Sequence, residues 1–136
     1  MAFAQPAMLR RMGGPAASIR FRIRICKGDD IAIGPGKVDL LEAIDAMGSI
    51  TAAARSLGMS YRRAWLLVDT MNRCFAKPLV ETHPGGGKRA GATLTAEGET
   101  ALGAYRALSA QVESGASGPD FTALERAIRP EPLPQR

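Results

Sequence analysis

Four consecutive residues, Ser60-Tyr61-Arg62-Arg63, open a stretch in which apolar side chains recur at helical steps, and their types suit a polyanion. An arginine fork binds O6 and N7 of guanine together, a contact worth ~1–3 kcal/mol of discrimination between bases. Tyr61 can donate to a phosphate or pack on a thymine methyl, and Ser60 is placed as an N-cap. Nine residues upstream, Thr51 lies in the first turn of a shorter helical stretch, where free backbone N–H groups favour a phosphate. Lys88 and Arg89 follow three glycines, Gly85-Gly86-Gly87, and suit contacts to a sugar-phosphate backbone. Taken singly, each of these is an ordinary surface residue. Their order along the chain gives them weight.

Other chemistries find no footing. His83 is the one histidine, and Cys26 and Cys74 are the two cysteines, so no metal centre or disulfide framework is expected. Gly87-Lys88 is not a phosphate loop, because Thr82 stands where the first glycine belongs and Arg89 where Ser or Thr is required. Gly34-Pro35-Gly36 lacks the third glycine of a dinucleotide fingerprint, with Asp39 in its place. No Ser/His/Asp set or carboxylate pair stands out, so neither enzyme activity nor a cofactor is expected.

The elements that must position these residues read clearly. Residues 1–17, with Pro6, Gly13, Gly14 and Pro15, read as a flexible arm. In Ser18–Ile25 the residues Ile19, Phe21, Ile23 and Ile25 share one face and Arg20, Arg22 and Arg24 the other, which predicts a half-buried strand with a solvated basic face. Gly34-Pro35-Gly36 opens a helix carrying Val38, Leu41, Ala43, Ile44 and Met47, and Gly48 closes it. A short helix spans Ile50–Ser56, with Ala52, Ala53 and Ala54 allowing close approach, and Leu57-Gly58-Met59 forms a turn. The third helix runs from Ser60 to about Phe75 on a buried stripe of Ala64, Leu67, Val68, Met71 and Phe75. Trp65, at the edge of that stripe, is expected in the core, and Cys74 as a packing residue. Pro78 breaks the pattern. Leu79–His83 and Ala92–Leu94 read as strands flanking a flexible basic tip over Pro84–Gly91, with His83 a surface residue. Thr95, with Glu97 and Glu99, caps a fourth helix to about Glu113. Phe121–Ile128 forms one further short helix, and three prolines fray the tail.

Helix, short helix, glycine turn, helix, strand, basic tip and strand is the order of a winged helix-turn-helix. The fold class expected is mainly α with a small β-sheet, carrying an N-terminal strand and a long C-terminal dimerisation helix. Its domain limits are residues 18–113, with residues 114–136 as linker, short helix and tail. On the fourth helix Leu102, Tyr105, Leu108 and Val112 form an apolar seam expected between the chains of a two-fold dimer. The Ile19–Ile25 strand and the Phe121–Ile128 helix are expected to contribute.

Length and charge agree with this. The 136 residues suit one domain with tails. The net charge of +5 is uneven: residues 1–95 hold 14 basic and 7 acidic side chains, and residues 96–136 hold 4 and 6. Double-stranded DNA is therefore expected at the first two thirds of the chain. Aromatics at 5% disfavour a single-strand stacking platform. The longest apolar run, Ala64–Val68, is too short for a membrane span. No signal peptide is evident, which points to the cytoplasm.

Gly48-Ser49-Ile50-Thr51-Ala52-Ala53-Ala54 through Gly58–Trp65 resembles the DNA-binding domain of the ModE family of molybdate-responsive transcriptional regulators. The likeness continues through Met71-Asn72, Leu79-Val80-Glu81, Gly85–Lys88 and Ala92–Thr95 with Gly98, and covers roughly residues 18–128. It implies transcriptional control of genes for molybdenum uptake or molybdoenzymes. Molybdate-binding domains, usual in that family, have no counterpart in the sequence, so no oxyanion ligands are carried over and no molybdate response is expected of this chain alone. The alternative from the residues is a winged-helix protein-interaction module without sequence-specific DNA binding.

Overall fold

The computed structural model describes residues 16–83 and 91–136. The described elements are β1 (Ile25–Lys27), β2 (Asp30–Ile33), α1 (Pro35–Met47), α2 (Ile50–Ser56), α3 (Tyr61–Cys74), β3 (Val80–His83), β4 (Gly91–Leu94), α4 (Ala96–Gly115) and α5 (Pro119–Ala127). The fold is mainly α, and its strands form two separate antiparallel pairs rather than one small sheet. The described residues fall into two compact units, one of residues 22–110 and one of residues 16–21 with 111–136.

Within the larger unit, each helix ends where the local chemistry dictates. Pro35 sits at the first position of α1, where its missing N–H costs nothing, and Gly48 ends it in the left-handed region at φ 69°, its N–H bonding Ile44 O at 2.7 Å. Ser49 caps α2 by accepting the Ala52 N–H at 3.2 Å. Gly58, at φ 66°, lets the chain turn so that Met59 N–H reaches Ala54 O at 3.0 Å. Leu40, Leu41 and Ile44 of α1, Ala53 and Ala54 of α2, and Ala64, Val68 and Met71 of α3 form the core, closed by Leu79, Val80, Ala92 and Leu102. The small Ala53 and Ala54 leave room for α1 and α3 to approach α2.

One segment departs from the sequence expectation. The alternating stretch 18–25 joins a ladder only at its end: β1 pairs with β2 across a turn at Gly28 (φ 59°), in the register Cys26 opposite Ile31 and Lys27 opposite Asp30. Ile19, Phe21 and Ile25 are exposed in a single chain and Ile23 is half-buried. Alternation marks which side chains share a face but not where a partner strand lies. Here the turn signal at Gly28-Asp29 decides, placing the partner downstream.

The β3–β4 pair is regular, with Val80 opposite Leu94 and His83 opposite Gly91. In the smaller unit, α5 begins after Gly118 with Pro119 at its first position. Leu124 and Ile128 stay exposed. Among the described residues no helix is long and apolar enough to cross a membrane.

Candidate nucleic-acid interface

The first turn of α3 is held by its own cap: the Ser60 hydroxyl oxygen accepts the Arg63 N–H at 3.1 Å. That bond fixes the direction in which residues 61–63 leave the helix start. Ala64, Val68 and Met71 turn inward, and Tyr61 (55% exposed), Arg62 and Arg63 turn outward. The helix is amphipathic in the sense a groove-reading helix requires, one stripe anchored and the N-terminal turn free. Thr51 is exposed on the first turn of α2, which carries no acidic side chain there to repel a phosphate.

Trp65 corrects the expectation of a core residue. It is 37% exposed and stands edge-on to Tyr61, with ring centroids 6.1 Å apart and planes at 84°. The reason is angular. One residue beyond Ala64 is about 100° round the helix, and the Ala64–Val68–Met71 stripe already fills the inward arc. Tyr61 and Trp65 therefore form an exposed aromatic pair beside the two arginines.

Lys88 and Arg89 lie outside the described residues. The strands on either side of them in sequence, β3 and β4, are tied to the helices. The Asn72 side chain on α3 accepts the backbone N–H groups of Leu79 (2.9 Å) and Val80 (3.2 Å), and donates to Val80 O at 3.2 Å. Ala92 N–H on β4 bonds Gly48 O at 2.9 Å, at the end of α1. Thr95 N–H bonds Leu79 O at 2.9 Å, and its hydroxyl donates to Pro78 O at 2.6 Å. His83 lies exposed with Nε2 3.1 Å from Thr93 Oγ1. Asn72 stood in the sequence only as half of a Met-Asn pair, and nothing in its spacing announced three bonds to a strand.

The seam on α4 is also redistributed. Leu102 is 4% exposed and belongs to the chain's own core, so its area is already removed from water and is not available to a second chain. Tyr105 is half-buried, its hydroxyl donating to Ile23 O at 2.8 Å. Leu108 is exposed and Val112 half-exposed. On this helix it is the N-terminal half, with Ala101, Leu102 and Tyr105, that faces the core.

A second cationic feature was not legible in the sequence. A cavity of about 150 Å³ is lined by Arg22, Arg24, Lys37, Arg63 and the Gly34–Gly36 start of α1. Lys37 is only 9% exposed. Burial pulls its ammonium below the usual lysine range, with Arg63 and Arg24 acting in the same direction and Cys74 and Asp30 against it. Arg63 therefore serves the cavity wall as well as the first turn of α3.

Two helices joined by a glycine turn, an outward basic first turn on the second, and a strand pair locked behind it define a winged helix-turn-helix domain. Comparison with known proteins agrees: the family described as bacterial regulatory helix-turn-helix protein, lysR family, matches residues 36–99. Over this domain the chain is similar to ModE and Mop proteins. It is 48% identical over 80 residues to the molybdenum-pterin-binding protein MopB of Rhodobacter capsulatus, covering 59% of this chain and 30% of that protein. It is 38% identical over 97 residues to the molybdenum transport protein ModE of Azotobacter vinelandii, covering 70% and 36%. With the DNA-binding transcriptional dual regulator ModE of Escherichia coli it shares 37% over 82 residues, covering 60% and 31%. The chain thus spans about a third of the length of these relatives.

Proposed function

We propose that this chain is a sequence-specific, double-stranded-DNA-binding transcriptional regulator of molybdenum-related genes, acting in the cytoplasm as a homodimer and not as an enzyme. The observation that carries the proposal is the capped, outward first turn of α3, Ser60 to Arg63, behind the short α2 and its glycine turn. The names of the relatives supply the molybdenum connection. A protein-interaction module is not favoured, because the match to a regulatory helix-turn-helix family and the ModE relatives support a DNA-binding role.

Within this reading, Arg62 reads base edges, since Arg63 is shared with the cavity beneath. Ser60 and Tyr61 support Arg62 at the groove, and Thr51, Lys88 and Arg89 hold phosphates. Selection of binding sites from random duplex DNA at two salt concentrations should yield a roughly palindromic operator, its half-sites one helical turn or a small multiple apart. Arg62→Ala should then cost ~1–3 kcal/mol on the operator and relax preference at one base pair per half-site. Equal, weak binding of the wild type to operator and scrambled duplex would remove the proposal.

The dimer is proposed to form on the solvent side of α4, through Leu108 and Val112 with Tyr105 at the edge, while Leu102 stays within each chain. Light scattering should return the mass of two chains for the wild type, and Leu108→Glu should shift it toward one. A wild type of single-chain mass would sink the assignment.

A further inference from the structure

We propose that the cavity between Arg22, Arg24, Lys37 and Arg63 at the N-terminus of α1 is a binding site for a tetrahedral oxyanion of the phosphate type. The assignment deepens the proposed DNA-binding function where the oxyanion is a backbone phosphate, and otherwise stands independently of it.

The first observation is Lys37 itself. Its side chain is nine-tenths buried and lines the cavity, and it has no hydrogen bond or ion pair among the described residues. The ammonium belongs to a largely buried residue, where partial desolvation and the Arg63 and Arg24 charges work against its proton while Cys74 and Asp30 work for it, and Arg22, Arg24 and Arg63 all line the same cavity. None of those arginines makes an ion pair among the described residues, although Arg73, Lys77 and Arg106 do elsewhere. A dianion in the cavity would add attraction to each of these cations and offset their mutual repulsion.

The second observation is the backbone. Gly34 caps α1 without a side-chain bond, the first turn has no acidic residue, and the first intrahelical donor is Val38 N–H to Gly34 O at 2.9 Å. Pro35 has no N–H, so the Gly36 and Lys37 amides are the donors left free at the positive end of a 13-residue helix. Gly36 has nothing within 4 Å of where a Cβ would stand, which leaves the approach open. At Gly34 a Cβ would lie 3.3 Å from Arg24 Cγ, so its absence lets the Arg24 stem lie close over the helix start. The volume of about 150 Å³ equals roughly five waters at ~30 Å³ each, which suits one tetrahedral ion with little of its hydration.

The test uses the full chain and two variants. Lys37→Met keeps the buried length and removes the charge. Gly36→Glu places a carboxylate in open space at the helix start, where it supplies the anion from within and does not oppose the helix. Inorganic phosphate is titrated at constant ionic strength while the backbone amide resonances of positions 36 and 37 are followed in each protein. Both should move saturably in the wild type, with the response lost or weakened at least tenfold in each variant. No saturable movement in the wild type, or an undiminished response in both variants, overturns the proposal. The source of the oxyanion is read from operator DNA across a salt series. If it is a backbone phosphate, Lys37→Met lowers the slope of log K against log salt by about 0.9. An unchanged slope with the phosphate response still lost assigns the site to a free oxyanion. A wild type that ignores the operator would defeat the regulatory proposal while the phosphate titration still decides the cavity.

Discussion

Gly98→Ala should lower the unfolding free energy by roughly 3 kcal/mol or more, a large share of the ~5–15 kcal/mol that holds a domain of this kind together. Gly98 is the third residue of α4, and a Cβ there would run into the Leu79 carbonyl oxygen, with Leu79 C at 3.1 Å and Leu94 Cβ at 3.3 Å. The obstacle is backbone that cannot rotate aside. That same carbonyl accepts the Thr95 N–H, and Thr95 Oγ1 accepts the Gly98 N–H at 3.0 Å, so moving either chain breaks the cap of α4. Gly103, on the same helix, has nothing within 4 Å of its Cβ position. Gly103→Ala should therefore stabilise by about 0.4–1 kcal/mol, as expected when backbone freedom is removed from the unfolded chain. Urea midpoints shifted in opposite directions by the two substitutions would bear this out, and equal shifts would contradict it.

Asn72→Ala should cost about 2–3 kcal/mol, because one side chain meets three backbone groups and two amides lose their acceptor in a half-buried place. Asn72→Asp should fall between the two: it keeps an acceptor for Leu79 and Val80 but brings a carboxylate against Val80 O. Denaturant titration of the three proteins measures the order. Since Asn72 ties β3 to α3, the alanine variant, studied where it is still folded, should also weaken DNA binding about equally on operator and scrambled duplex. A change of base preference would mean that Asn72 acts on α3 instead.

What the sequence made legible was what repeats or punctuates. The buried stripe of α3, the glycine turn at 58 and the cap at Ser60 follow from local rules, and each stands in the structure. The class of fold followed from their order. Long-range partnership was not legible. Trp65 sits one residue from a buried stripe, and only the neighbouring helices decide that the inward arc is full. Leu102 and Leu108 look alike along α4, yet one meets the core and the other does not. Arg24, Lys37 and Arg63 lie on three segments distant in sequence, so their convergence at one cavity needs tertiary structure to be seen. Of the residues proposed to face DNA, Thr51, Tyr61 and Arg62 are exposed as expected, which permits their role without testing it.

The bond from Ala92 to Gly48 and the bonds from Asn72 to the Leu79–Val80 backbone fasten the strand pair to both ends of the helical unit. On the proposed DNA-binding reading, this makes the domain a gauge of fixed opening, in which the reach from α3 to the strand pair is set once, at folding. A duplex whose groove width or curvature departs from that gauge must itself deform, and the elastic cost of doing so varies with its base steps. Sequences that flex easily would then be preferred at positions no side chain touches, so stiffness in the protein becomes selectivity in the DNA.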